Sequence, residues 1–311
     1  VATAARELTL GILVEAEQRL DPESDRETVA RAADAIAVRF DSRRMSSFLP
    51  EWMPLPANRR YRRAVDDLRT ELDEVIAERR AAVAAGEVPG TDLLSLLVTA
   101  TDEGELDDET LRDNLVTFLF AGHETTASAL AFALHALATH PSEGNRVAAA
   151  VDAFGDPAAD PGAAAEPDAL AAVDRAVSEA LRLYPPVYIM LREATTDVEL
   201  RGHTVPAGSM VSLSPWTCHR DPRWWDEPAA FRPDRWRDDR SDDRPEYAYF
   251  PFGGGPRRCI GDRFAMMEAR LVLATLVRDW TFDPLEDLSF APSITLRPDG
   301  PVEMHVERRE R

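Results

Sequence analysis

The chain has 311 residues and a formal net charge of −20, and every one of its 36 basic residues is arginine. That charge excludes nucleic acid and anionic membrane surfaces as natural partners, and the absence of lysine excludes a lysine Schiff base and a lysine-dependent phosphate loop. Two cysteines are too few for a disulfide framework and no signal peptide is visible, so a reducing, cytoplasmic location is expected. The acidic, arginine-only composition also fits a salt-adapted, halophilic-like protein, whose stability would rise from low salt to molar KCl.

In chain order, residues 3–20 read as a helix, and a second runs from about Arg26 to Arg44 after the Asp21–Pro22 start signal. "FLPEWMPLPANRR" reads as a proline-rich turn before a long charged helix, about Arg60 to Ala85, closed by Gly86. "TDLLSLLV" is a short apolar helix capped by Thr91. A long proline-free helix, Asp107 to His140, carries apolar residues at Leu111, Leu115, Phe118, Leu119, Leu130, Ala133, Leu134 and Leu137, and Pro141 stops it. Its segment from Leu115 to Ala138 is long enough to cross a bilayer. His123, Glu124, Thr125 and Thr126 interrupt it, which points to a buried core helix and no membrane segment.

Residues 155–168, "GDPAADPGAAAEPD", read as a flexible low-complexity loop. A helix follows from about Ala169 to Tyr184, ended by Pro185–Pro186. "DVELRGHTVPAGSMVSLS" alternates and carries glycine turns, as short strands with a hairpin do. An irregular Pro/Asp/Arg-rich stretch leads to "FGGGPRRCIG" and a final helix, about Asp262 to Asp279. "SITLRPDGPVEMHVE" reads as a closing hairpin. The fold class expected is mainly α with a small β-rich part, as a single domain over 1–311.

Three short motifs carry chemistry. In "FGGGPRRCIG", Cys259 stands just before a helix, where unpaired backbone N–H groups and the helix dipole stabilise a thiolate, and the glycines let backbone approach a bulky group. Alone, the motif also fits a buried free cysteine beside a turn. No G-x-G-x-x-G phosphate cradle and no zinc set lies in that window. In "AGHETT", His123–Glu124 lacks the second histidine of a metalloprotease helix and places a carboxylate beside two hydroxyls inside an apolar helix. A threonine there can bond to the carbonyl four residues earlier, and a buried glutamate is rare enough to favour a role. In "SEALRL", Glu179 and Arg182 are three apart on one helix face and can pair.

Taken with "FRPDRW" (residues 231–236), these motifs in this order resemble the cytochrome P-450 superfamily of haem-thiolate enzymes over essentially the whole chain. The matched patterns are A-G-x-E-T-T, E-x-x-R, F-x-P-x-R-W and F-x-x-G-x-R-x-C-x-G. The resemblance begins partway through that fold, which implies an amino-terminally truncated version of it. It implies haem b (iron protoporphyrin) as cofactor and Cys259 as the axial thiolate ligand of its iron. Phe252, Gly253 and Gly261 would shape the loop around haem, and Arg257 and Arg192 would pair with its propionates. Glu124 and Thr125 would deliver protons during dioxygen activation. Glu179, Arg182 and Arg235 would form a structural ion network. Phe120, Ala121, Thr125, Val187, Ile189 and Ile294 would line an apolar substrate site. The activity implied is monooxygenation of an apolar small molecule, with electrons from a separate ferredoxin-type or flavin reductase donor. Arg257, Arg258 and Arg263 are candidates for docking an acidic donor. The alternatives are a haem-thiolate peroxygenase or isomerase, and a non-catalytic remnant that does not retain haem.

Overall fold

The computed structural model describes residues 4–5, 8–9, 24–39, 41, 49–86, 93–165, 170–237 and 244–309. Most of the helix expected over 3–20, and the Thr91 cap, lie outside these residues. The described residues fall into two compact units. The first is Ala2–Ala127 with Ala291–Ile294, and the second is Ser128–Phe290 with Thr295–Arg311.

The first unit is built from α1 (Ser24–Arg39), α2 (Pro56–Ala84), α3 (Leu93–Asp102) and the beginning of α4 (Asp108–Thr139). Pro56 occupies the first turn of α2, where a missing N–H costs nothing, so this helix starts inside the stretch read as a turn. Gly86, at φ 72°, closes it. Asp107 caps α4 by accepting the Thr110 N–H at 2.7 Å, and the Thr110 hydroxyl, followed by that N–H, holds its carboxyl below the usual carboxylate range. Val29, Ala32, Leu68, Leu72, Ile76, Leu94, Val98, Leu111, Leu115 and Leu119 form one core. The last three follow the four-residue spacing of a helix stripe. Around this core, Arg112 meets Asp73 at 2.7 Å and Arg80 meets Asp108. These pairs are partly exposed, so water and salt screen them.

In the second unit, Pro141 ends α4 and also begins α5 (Pro141–Phe154), a helix the sequence reading did not separate out. Within 155–168, Pro161–Ala165 form a short helix, α6, that buries Ala164. Next come α7 (Ala171–Leu183), β1 (Met190–Glu193), β2 (Val198–Leu200), β3 (His203–Val205), β4 (Met210–Leu213) and α8 (Pro215–Cys218). α9 (Asp262–Asp279) has the bounds expected, and β5 (Trp280–Pro284), β6 (Leu296–Pro298) and β7 (Met304–Arg308) follow. Val147 and Val151 of α5, Val173, Ala176 and Ala180 of α7, and Leu273 and Ala274 of α9 are all buried.

β2 and β3 pair antiparallel through the two-residue turn Arg201–Gly202, both at positive φ (48° and 79°), a turn whose twist suits a hairpin. β1 pairs with β4, Met190 opposite Leu213. The closing hairpin is a correction: β7 pairs with β5, Trp280 opposite Arg308, and β6 belongs to a different two-stranded sheet. Pro298 and Pro301 lack the N–H groups that a ladder between β6 and β7 would need. The Leu296 N–H donates instead to the Pro186 carbonyl at 2.7 Å. Among the described residues, no helix is long and apolar enough to cross a membrane.

Candidate functional site

In the second unit, α7 buries Glu179 and Arg182 completely. A guanidinium has five N–H donors, and here Arg182 makes five bonds. Nε and Nη2 hold the two Glu179 oxygens at 2.9 Å each, Nη1 reaches the carbonyls of His219 (2.9 Å) and Pro228 (2.7 Å), and Nη2 that of Ala230 (3.0 Å). Glu179 is equally well supplied, accepting from Arg235 Nε at 3.1 Å, the Arg232 N–H at 2.8 Å and Trp236 Nε1 at 3.0 Å. Trp225, fully buried, lies under the Arg182 guanidinium at 5.0 Å, and Trp236 stacks on Tyr249 at 4.4 Å. Burial drives the Arg235 pKa down against the pull of Glu179. This cluster pins an irregular stretch, from α8 to the turn over Pro233–Trp236, that has little regular secondary structure of its own.

The cysteine loop runs directly from that cluster. The Phe250 N–H donates to His219 Nε2 at 2.9 Å, the Gly253 N–H to the Phe250 carbonyl at 3.0 Å, and the Cys259 N–H to the Phe252 carbonyl at 2.9 Å. Gly253 and Gly255 have φ of 71° and 65°, values that favour glycine. At Gly254 a Cβ would stand 2.6 Å from the Tyr247 ring, so this glycine makes room for that side chain. Gly261 caps α9, and its carbonyl accepts the Ala265 N–H at 2.9 Å. Cys259 and Arg257 are exposed, and Ile260 is 82% exposed. Phe252 is half-buried. Arg258 pairs with Asp262 at 2.6 Å. Arg192, on β1, is exposed and donates to the Leu191 carbonyl at 2.8 Å.

In the first unit, His123, Glu124 and Thr126 are buried on α4, and Thr125 is half-buried. Thr125 Oγ1 donates to the Ala121 carbonyl at 2.7 Å, the back-bond expected of a threonine inside a helix. Phe120, Ala121, Thr125 and Ile294 belong to this unit, and Val187 and Ile189 to the second. Ala121, Ile189 and Ile294 are exposed, and Phe120 and Val187 half-buried.

A family model for cytochrome P450 matches residues 3–300. The chain belongs to the cytochrome P450 family. Among its relatives, this P450 is 38% identical to the cyclooctat-9-en-7-ol 5-monooxygenase of Streptomyces melanosporofaciens, over 84% of this chain and 57% of that protein. It is 35% identical to the pentalenene oxygenase of Streptomyces avermitilis, over 85% of this chain and 57% of that one. Among solved structures, the heme domain of cytochrome P450DA superposes with a TM-score of 0.83 at 30% identity, covering 100% of this chain and 68% of that one. The chain thus spans under three fifths of the length of those two relatives.

The residues of the cysteine loop fit haem, the cofactor of this family. Among the described residues no group of three or more His, Cys, Asp or Glu could hold a bare metal ion. A single exposed thiol at the start of an 18-residue helix matches a metal that brings its other donors in a macrocycle and needs one axial ligand. The apolar Ile260 side chain beside it suits the rim of an apolar ring. Sequence reasoning selected Glu179, Arg182 and Arg235, which lie together, but missed His219, Trp225 and Tyr249. The signal was available in "CHRDPRWW", where a histidine and two tryptophans crowd a segment otherwise rich in charge.

Proposed function

We propose that this P450 is the haem-thiolate core of a monooxygenase that inserts one atom of dioxygen into an apolar organic substrate. The match of the family model over residues 3–300, with Cys259 exposed in its glycine loop, carries the reading. The relatives named for oxidising cyclooctat-9-en-7-ol and for pentalenene support the substrate class. In this proposal residues 1–311 act as one haem-thiolate domain in the cytoplasm.

A thiolate-ligated haem, when bound, supplies the activation of dioxygen. Cys259 would hold the haem iron through its sulfur, and the backbone N–H groups of its loop would tune that sulfur. Arg257 and Arg192 would pair with the propionates through their forked donors, and Phe252, Gly253 and Gly261 would shape the wall against the ring. Glu124 and Thr125 would hold and pass protons at their carboxyl and hydroxyl oxygens. The Thr125 hydroxyl is already oriented by the Ala121 carbonyl, so its own oxygen is free to accept. Phe120, Ala121, Val187, Ile189 and Ile294 offer the apolar contacts for substrate. Electrons come from a separate ferredoxin-type or flavin reductase donor, and the exposed Arg257, Arg258 and Arg263 form the face that meets it. In an Arg258→Glu variant at low salt, turnover with a candidate ferredoxin should fall; an unchanged rate would remove Arg258 from that face.

The deciding experiment is the absorbance of the reduced, carbon monoxide-bound protein after haem loading. The long-wavelength band of a thiolate-ligated haem is expected for the chain and should vanish in Cys259→Ser. A chain that takes up no haem, or lacks the band, is the non-catalytic remnant instead.

A further inference from the structure

We propose that His219 is a positioning residue for Cys259, acting as the hydrogen-bond acceptor that fixes the entry of the cysteine loop. The inference rests on reading Cys259 as the axial ligand. His219 is 0% exposed, and it touches both halves of the site by different groups. Its backbone carbonyl accepts from Arg182 Nη1 at 2.9 Å, which ties its main chain to the buried ion cluster. Its ring Nε2 accepts the Phe250 N–H at 2.9 Å, so Nδ1 carries the proton. The ring is wedged between Tyr249, centroids 5.1 Å apart, and the edge of Phe250 at 5.4 Å.

From there the order passes along the backbone. The Phe250 carbonyl takes the Gly253 N–H, and the Phe252 carbonyl takes the Cys259 N–H. The cysteine peptide is therefore linked to Glu179 and Arg182 through His219 and short backbone bonds, with a single 3₁₀ turn, Gly255–Arg257, in between. Glycines at positive φ in this loop leave it free to adopt other conformations, so its geometry has to be imposed at its ends. Gly261 and α9 impose the far end; His219 imposes the near one. Only a neutral imidazole can do this, since a protonated ring has no acceptor. Burial keeps it neutral, pushing its pKa down to about 3.

The test uses the full chain loaded with haem and the variants His219→Phe, His219→Gln and His219→Asn. Phenylalanine keeps the ring's volume but removes the acceptor. Glutamine places an oxygen near the Nε2 position, and asparagine falls one bond short. Hydrogen exchange of the 250–260 segment should quicken about tenfold in His219→Phe, from the loss of one bond to a buried N–H, and return to the wild-type rate in His219→Gln. In parallel, the carbon monoxide band should shift toward the shorter wavelength of a haem lacking thiolate in His219→Phe and stay in His219→Gln. Unchanged exchange in 250–260 for the phenylalanine variant, or glutamine behaving like phenylalanine, overturns the proposal. If His219→Phe does not fold, the Gln and Asn variants decide: equal exchange and equal spectra overturn it. A wild-type chain without the thiolate band would refute the ligand reading, while the exchange data would still report on the clamp.

Discussion

The two arginine-bearing regions of the second unit solve opposite problems. At Arg182 the guanidinium is fully buried and makes five hydrogen bonds. At Arg257 and Arg258 the side chains are exposed, and Arg258 reaches only its helical neighbour Asp262. A buried charge is tolerable only when its partners are complete, so the first region is rigid by necessity. The second is shaped by glycine dihedrals and remains open to whatever binds the thiol. The same residue type thus builds the frame in one place and stands open to solvent in the other.

The sharpest way to break this contrast is Arg182→Met. It leaves Glu179 buried without its main counter-charge, and a loss of about 3–5 kcal/mol is expected in denaturant unfolding. Arg258→Met should cost less than about 1 kcal/mol in the same assay. Equal losses would erase the distinction between buried frame and open face.

Acidification comes next. The unfolded imidazole of His219 titrates at its ordinary 6.5 and the folded one at about 3. Between those values the unfolded state holds the extra proton, so stability is complete above pH 6.5 and falls as the pH drops toward 3. The slope is up to about 1.4 kcal/mol per pH unit from this group. His219→Gln should flatten that part of a stability-against-pH curve, and an unchanged slope would show that the ring does not control it.

Gly253→Ala forces a Cβ residue to φ 71° and should cost about 1–2 kcal/mol, read as a lower melting temperature. Gly254→Ala is expected to cost about 1 kcal/mol through contact with the Tyr247 ring, a side chain exposed enough to swing aside. That cost should disappear in a Tyr247→Ala background, a coupling that a double-mutant cycle measures. Smallest in stability is Thr125→Val, within about 0.5 kcal/mol, because its hydroxyl only back-bonds within α4. Its effect should instead fall on the fraction of electrons that reach product.

How far the sequence carried the fold depended on whether a feature was local. α9 and α4 were legible almost to the residue, because periodicity, a glycine cap and a proline stop are neighbours in sequence. The α5 start was hidden because Pro141 serves two helices at once. The strand pairing near the end was misread because β7 finds its partner across the 285–303 segment, a choice that alternation alone does not encode. Glu179 and Arg182 were legible from their three-residue spacing. His219 was not, since its value lies in bonds to residues 31 and 37 positions away.

The bonds of Arg182 to the carbonyls of residues 219, 228 and 230 have a consequence for how this segment can change. A single side chain, rather than a repeating backbone pattern, fixes the path of the chain there. The stretch between the anchored carbonyls exposes Arg223 and Trp224 but buries Trp225 under Arg182, so its length can be altered only where Trp225 keeps its place. For an engineer, a graft at Arg223–Trp224 that leaves the three anchored carbonyls and Trp225 in place adds new sequence without disturbing the frame.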